Sequence, residues 1–108
     1  MAQDFRNTLA REIGTGDTTI LAGRNYDAVI GIRCCNIVAT TILVDVKIAK
    51  GGDDYFFAKG VNIPPNSAIE LIQGGAKIVL GSTDTLEAVS DTASSLDVMC
   101  SYIDTISS

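Results

Sequence analysis

The chain has 108 residues and a mass of 11.3 kDa, with 13 acidic against 8 basic residues and a net charge of −5. That balance repels nucleic-acid phosphates and anionic lipid, no Lys/Arg cluster overrides it, and no apolar run approaches the ~20 residues that cross a bilayer, so neither nucleic acid nor membrane is an expected partner. With 46% hydrophobic but only 6% aromatic residues and no Trp, the core of a single small domain has to be built from Ile, Val, Leu and Ala.

Residues 1–16 admit two readings. Asp4 can cap a short helix whose stripe is Phe5, Leu9 and Ile13, ending at Gly14. Alternatively the segment is an extended arm, because a helix this short is marginal unless something packs on it. In both readings Phe5, Leu9 and Ile13 need an apolar surface, supplied by the chain's own domain or by a neighbouring subunit. An arm of this kind is expected to be removable up to Gly14 without loss of the remaining β structure. The opening MAQDFRNTLAREIG also lacks the apolar stretch of a signal peptide, which predicts synthesis in the cytoplasm.

From residue 17 to 108 the pattern is of strands. Thr18–Leu21 is a short first one. Tyr26 opens a second, with Ala28, Ile30, Ile32 and Cys34 on one face, Val29, Gly31, Arg33 and Cys35 on the other, and Gly31 marking a bulge or close backbone approach. The stretch Thr40–Lys50 carries the clearest signal: Ile42, Val44, Val46 and Ile48 fall at every second position, the period of a half-buried strand. Gly51, Gly52, Asp53 and Asp54 form its turn. Tyr55–Ala58 returns, Gly60–Ile63 extends it, and Pro64 and Pro65 end it because neither can donate to a ladder.

Ser67–Ile72 and Lys77–Leu80 follow, separated by a turn at Gln73–Ala76. Thr85–Ser90 comes next, then a small-residue corner at Thr92–Ser95. In the last strand Leu96, Val98, Cys100 and Tyr102 alternate with Asp97, Met99 and Ser101. Seven or eight short strands with turn signals between them predict an all-β, antiparallel β-sandwich, jelly-roll or Greek-key-like, in residues 17–108.

Chemistry is sparse in this sequence. Without His there is no Ser-His-Asp or Cys-His site within one chain, and the commonest metal ligand is missing. Cys34 and Cys35 are strand neighbours whose side chains point to opposite faces, so Cys34 and Cys100 read as small core residues and Cys35 as packing elsewhere. An odd number of cysteines builds no disulfide framework, in keeping with a reducing compartment. Asp53, Asp54 and Asp84 lie in turns, where Asp is recruited for local backbone hydrogen bonds, and no calcium-loop spacing is present. Gly51-Gly52 and Gly74-Gly75 read as hairpin turns, since neither leads from a strand into a helix as a phosphate loop does. No catalytic residue, metal site or cofactor is expected.

Tyr55, Phe56 and Phe57 are the sole aromatic cluster. Alternation sets Tyr55 and Phe57 together and Phe56 opposite, with core packing plus one half-exposed ring as the simplest expectation. A subunit-interface anchor and a sugar-stacking platform are the sharper readings. The interface candidates are therefore Phe5, Leu9, Ile13, Tyr55 and Phe57.

Taken together, FRNTLAREIGTGDTTIL, DAVIGIRCCNI, ILVDVKIAKGGDDYFFAKGVNIPPNSAIELIQGGAKIVL and DTLEAVSDTASSLDVMCSYID give the chain a recognisable order of elements. In that order it resembles a group of small virion structural proteins of tailed bacteriophages, of the cyanophage and marine-phage type. The resemblance implies a non-enzymatic protein present in many copies. It would be a homo-oligomer in contact with other virion proteins, decorating or cementing the capsid or attached at the neck or tail. A carbohydrate- or receptor-binding β-sandwich module of a phage fibre is the alternative.

Overall fold

The structure, a computed structural model, describes residues 5–23, 26–72 and 78–104. Among them run nine strands: β1 (Phe5–Ile13), β2 (Thr18–Ala22), β3 (Asp27–Asn36), β4 (Ile42–Lys50), β5 (Asp53–Ile63), β6 (Ala68–Glu70), β7 (Ile78–Leu80), β8 (Thr85–Ser90) and β9 (Leu96–Ile103). One sheet has the order β1-β9-β3-β6, with β7 also on β3, and the other the order β2-β8-β4-β5. Every pairing is antiparallel.

The pairings nest. First joins last as β1 joins β9, then β2 joins β8, β3 joins β6 and β7, and β4 joins β5. The chain is thus one long hairpin, folded back at the β4–β5 turn and rolled so that successive pairs fall alternately into the two sheets. That is the jelly roll, one of the two sandwich types anticipated from the strand count.

Alternation decides what fills it. Ile42, Val44 and Val46 of β4 are fully buried, as their spacing required, and meet Ile32, Cys34, Leu96, Val98 and Cys100 of the facing sheet in one core cluster. Burying each aliphatic side chain contributes roughly 1.5–3 kcal/mol. Among the described residues the largest fully buried polar side chain is that of Asn36. Its Nδ2 donates to the carbonyls of Thr40 (2.7 Å), Ile63 (3.0 Å) and Pro64 (3.1 Å), while its Oδ1 accepts from the Val38 N–H at 2.9 Å. It ties the end of β3 to the start of β4 and the end of β5. Among the described glycines Gly23 has the least room, because an added Cβ would lie 2.3 Å from the Gly81 carbonyl oxygen.

The N-terminal segment differs from expectation. Phe5–Ile13 is not a helix but an extended segment docked on its own domain as strand β1, paired along β9 from Phe5↔Ile103 to Ile13↔Leu96. The spacing of Phe5, Leu9 and Ile13 is a multiple of both the helical four and the strand two, so it fits either element. Backbone pairing with β9 then favours the strand over a marginal isolated helix. A bulge between Ala10 and Ile13, with Glu12 at φ 54° and its N–H donating to Asp97 Oδ1 at 2.9 Å, reverses the face. Thr8, Ala10 and then Ile13 consequently point inward, and Phe5 and Leu9 outward.

A second bulge corrects the faces of β3. Gly31 does mark an irregularity, between Val29 and Gly31, and it carries Val29 into the core at 0% exposure while Ile30 is left half-buried. The proposed cap Asp4, the turn at Gln73–Ala76 with Lys77, and Ile106 lie outside the described residues.

Candidate interaction surfaces

The β4–β5 hairpin builds the first surface. Gly51 and Gly52 both have positive φ, 62° and 85°, as a two-residue hairpin turn between Lys50 and Asp53 demands. Two bulges then break β5: Phe57 is the extra residue between Ala58 and Phe56, and Lys59-Gly60 lies opposite Asp45, with the Gly60 N–H donating to Asp45 Oδ1 at 2.7 Å. Cover from the facing sheet fades along β4, from Val46 at 0% to a half-buried Ile48, and the molecule is correspondingly elongated, 45 × 27 × 22 Å.

Near that tip none of the aromatic rings is buried. Tyr55 is 58%, Phe56 46% and Phe57 38% exposed, so the expected core packing is replaced by a surface cluster. Tyr55 pairs with Ile48, where cover from the facing sheet has faded, Phe56 is on the outer face, and Phe57 is the extra residue of the bulge.

On the outer face of the same hairpin Lys47 stands opposite Phe56, with Nζ 5.9 Å from the ring centre and the Lys59 Nζ on that ring at 4.3 Å. Lys47 also donates to Asp17 Oδ2 and Asp54 Oδ2, each at 2.9 Å, and only 8% of its side chain is exposed. Hydrogen bonds to these two carboxylates outweigh desolvation and hold its ammonium well above the ordinary lysine range. It is a fixed cation, not a nucleophile.

The second surface is the outer face of the first sheet. Val79 of β7 lies opposite Ala28 of β3, Ala28 opposite Ile103 of β9, and Ile103 opposite Phe5 of β1, an apolar row across four strands. Leu9 and Met99 begin a parallel row that ends in Arg33 and Glu70. Phe5 is 76%, Leu9 67%, Val79 56% and Met99 55% exposed. An open cavity of about 380 Å³ adjoins these rows, lined by Phe5, Arg6, Asn7, Ile30, Ser101 and Tyr102.

Of the five residues singled out in the sequence, Phe5 and Leu9 share the second surface and Tyr55 and Phe57 the first. Ile13 joins neither, because at 2% exposure it belongs to the chain's own core. Met99 and Ile103 complete the second surface. Alternation already put Met99 on the outward side of the last strand, but only the register aligns it with Leu9. Leu43 on the outer face of β4 is 43% exposed, whereas Val29 is fully buried.

The reactive groups are quiet. Cys34 and Cys100 are buried and their thiols are pushed up to about 12, first by desolvation and then by the nearby charge of Glu70. Cys35 is half-buried on the opposite face. Asp84 Oδ2 accepts from the Gly81 N–H of its own turn at 2.8 Å, while its buried Oδ1 accepts no hydrogen bond and lies 3.7 Å from Lys50 Nζ at the end of β4. Among the described residues no group of three or more Cys, Asp or Glu is placed to hold a metal ion. No family model, curated protein or solved structure matches the chain.

Proposed function

We propose that the chain is a non-enzymatic structural protein of a phage virion, acting in many copies to decorate or cement the capsid or to serve as an accessory at the neck or tail. The observation that carries this reading is the pair of exposed apolar surfaces on one small jelly roll, the aromatic hairpin tip and the Phe5–Met99 face. Fold by itself does not dictate function. Large apolar side chains gathered on two separate surfaces favour a protein that is covered on more than one side in its working state. The resemblance of its order of elements to small tailed-phage virion proteins supports this reading, which implies synthesis in the host cytoplasm and incorporation into the virion.

The test is co-fractionation. An antibody against the chain should detect it in gradient-purified particles at a fixed copy number relative to the major capsid protein. Absence from particles overturns the reading. Binding of glycans by the isolated subunit, lost in Tyr55→Ala or Phe57→Ala, would replace it with a sugar-binding fibre module.

A further inference from the structure

The four sheet edges are not alike. Among the described residues β6 and β7 are three residues each, β2 is broken by a bulge between Thr19 and Leu21, and β5 is broken twice. Short strands and bulges are the usual protection against edge-to-edge pairing. In β1, by contrast, Phe5–Ala10 pairs with β9 without interruption, which makes it the longest regular stretch on any of these edges. It contains no Pro and no Lys, and its one charged side chain, Arg6, is drawn back onto Asp104 of its own chain.

Residue spacing on this edge is self-complementary. A two-fold axis through Asn7 in an antiparallel β1–β1 pairing sets Phe5 opposite Leu9 of the second copy, and Leu9 opposite its Phe5. Both belong to the outward face and both are more than half exposed. The apolar row Val79–Ala28–Ile103–Phe5 of one chain then runs directly into Leu9 and Met99 of the other, and ends at the Arg33–Glu70 pair. The symmetric row does the reverse. Between the two rows the facing residues are Asn7, Ser101 and Gly31, a polar strip through the axis.

We propose that the β1 edge is a homodimer site, at which a second copy of this chain adds its own β1 antiparallel about Asn7 and turns the two first sheets into one continuous sheet. The occupant is a second copy because the pairing that joins the apolar rows is generated by this sequence acting on itself, and a two-fold axis closes the assembly and removes both edges together. It deepens the preceding reading, on which it rests for the claim that the chain self-associates. A pairing of this length buries less than the ~1,000 Å² of a stable interface, so in solution the dimer is transient and in a particle it is held by its neighbours.

Cross-linking tests this on the full chain with Cys35→Ser, so that the remaining native thiols are buried. Asn7 faces its own copy, at a separation within disulfide reach for directly opposed strand residues. Under mild oxidation Asn7→Cys should therefore give a covalent dimer, while Ala22→Cys on the bulged β2 edge stays monomeric. Phe5→Cys and Leu9→Cys should each stay monomeric alone and form the mixed dimer when combined, which fixes the register. Circular dichroism of each variant checks that the fold is retained. A second arm is sedimentation: Leu9→Lys should weaken the Asn7-centred dimer at least tenfold.

An Asn7→Cys chain that remains monomeric, or that cross-links no faster than Ala22→Cys, overturns the proposal. So does ready self-cross-linking of Phe5→Cys. These outcomes concern the isolated chain and are independent of whether it co-fractionates with particles, so failure here and failure of the virion reading are told apart.

Discussion

Lys47 donates to Asp17 Oδ2 at 2.9 Å, which ties the loop before β2 to the middle of β4 on the outer face of the second sheet. Asp54 grips the same ammonium from β5. A largely covered lysine with two carboxylate partners should respond asymmetrically to mutation: Asp17→Asn leaves one partner and lowers Tm slightly, whereas Asp17→Asn with Asp54→Asn leaves the cation stranded and lowers it several-fold more. The pH dependence follows from the upward shift. A group whose folded pKa exceeds its unfolded one contributes fully below the ordinary lysine value of 10.5 and loses that contribution as pH rises through the raised value. Calorimetry should find a constant Tm gap between wild type and the double variant from neutral pH to about 10.5, narrowing as the pH rises above it.

The two core thiols add a second alkaline effect. Burial keeps Cys34 and Cys100 protonated up to about 12, against 9.0 for free thiols, so between these values the folded state holds protons that the unfolded state has released. Stability must fall with pH across that window, with a limiting slope of about 1.4 kcal/mol per pH unit for each thiol. Urea titrations from pH 8 to 11 should show the decline, and it should flatten in Cys34→Ala with Cys100→Ala despite that variant's lower starting stability. At pH 8 a thiol reagent should label Cys35 alone until denaturant is added.

Asn36 is expected to be the costliest polar residue to replace. In Asn36→Leu at least two backbone groups among Thr40, Ile63, Pro64 and Val38 lose their buried partner, at ~1–3 kcal/mol each, for a total of about 2–6 kcal/mol. Asn36→Asp keeps the shape and the acceptor for Val38 but sets a carboxylate against carbonyl oxygens, so it should fare no better. Urea midpoints measure both, and a loss below about 1 kcal/mol would mean that water replaces the amide.

Strand β1 is integral to the domain, which turns the arm expectation around. Deleting residues 1–14 removes Ile13 from the core and takes away the Ile13 and Gly14 carbonyls that accept from Ser95 N–H at 3.1 Å and Ser90 N–H at 2.9 Å. The truncated chain should lose its cooperative thermal transition. Val44→Asp, which puts a charge at a site of 0% exposure, should do the same, because an unpaired buried carboxylate costs several kcal/mol. Melting curves followed by circular dichroism decide both.

Much of this protein was legible in its sequence. The every-second-position run from Ile42 to Ile48 dictates a strand with a buried face, Gly51-Gly52 dictates a hairpin, the prolines end β5, and the outward place of Met99 follows from the period of two. These are local matters, governed by backbone sterics and by which side of a pleat an apolar residue occupies. Only the tertiary structure decided what depends on partners distant in the chain. The spacing of Phe5, Leu9 and Ile13 serves helix and strand alike until β9 supplies hydrogen bonds. Bulges at Ala10–Ile13 and Val29–Gly31 exchange faces according to the register of the neighbouring strand. Tyr55, paired with Ile48 on the inward side, is a surface residue because cover from the facing sheet fades there, while Phe56 lies on the outer face opposite Lys47. An alternating pattern states that one face must be covered; how far the cover extends is a property of the whole roll.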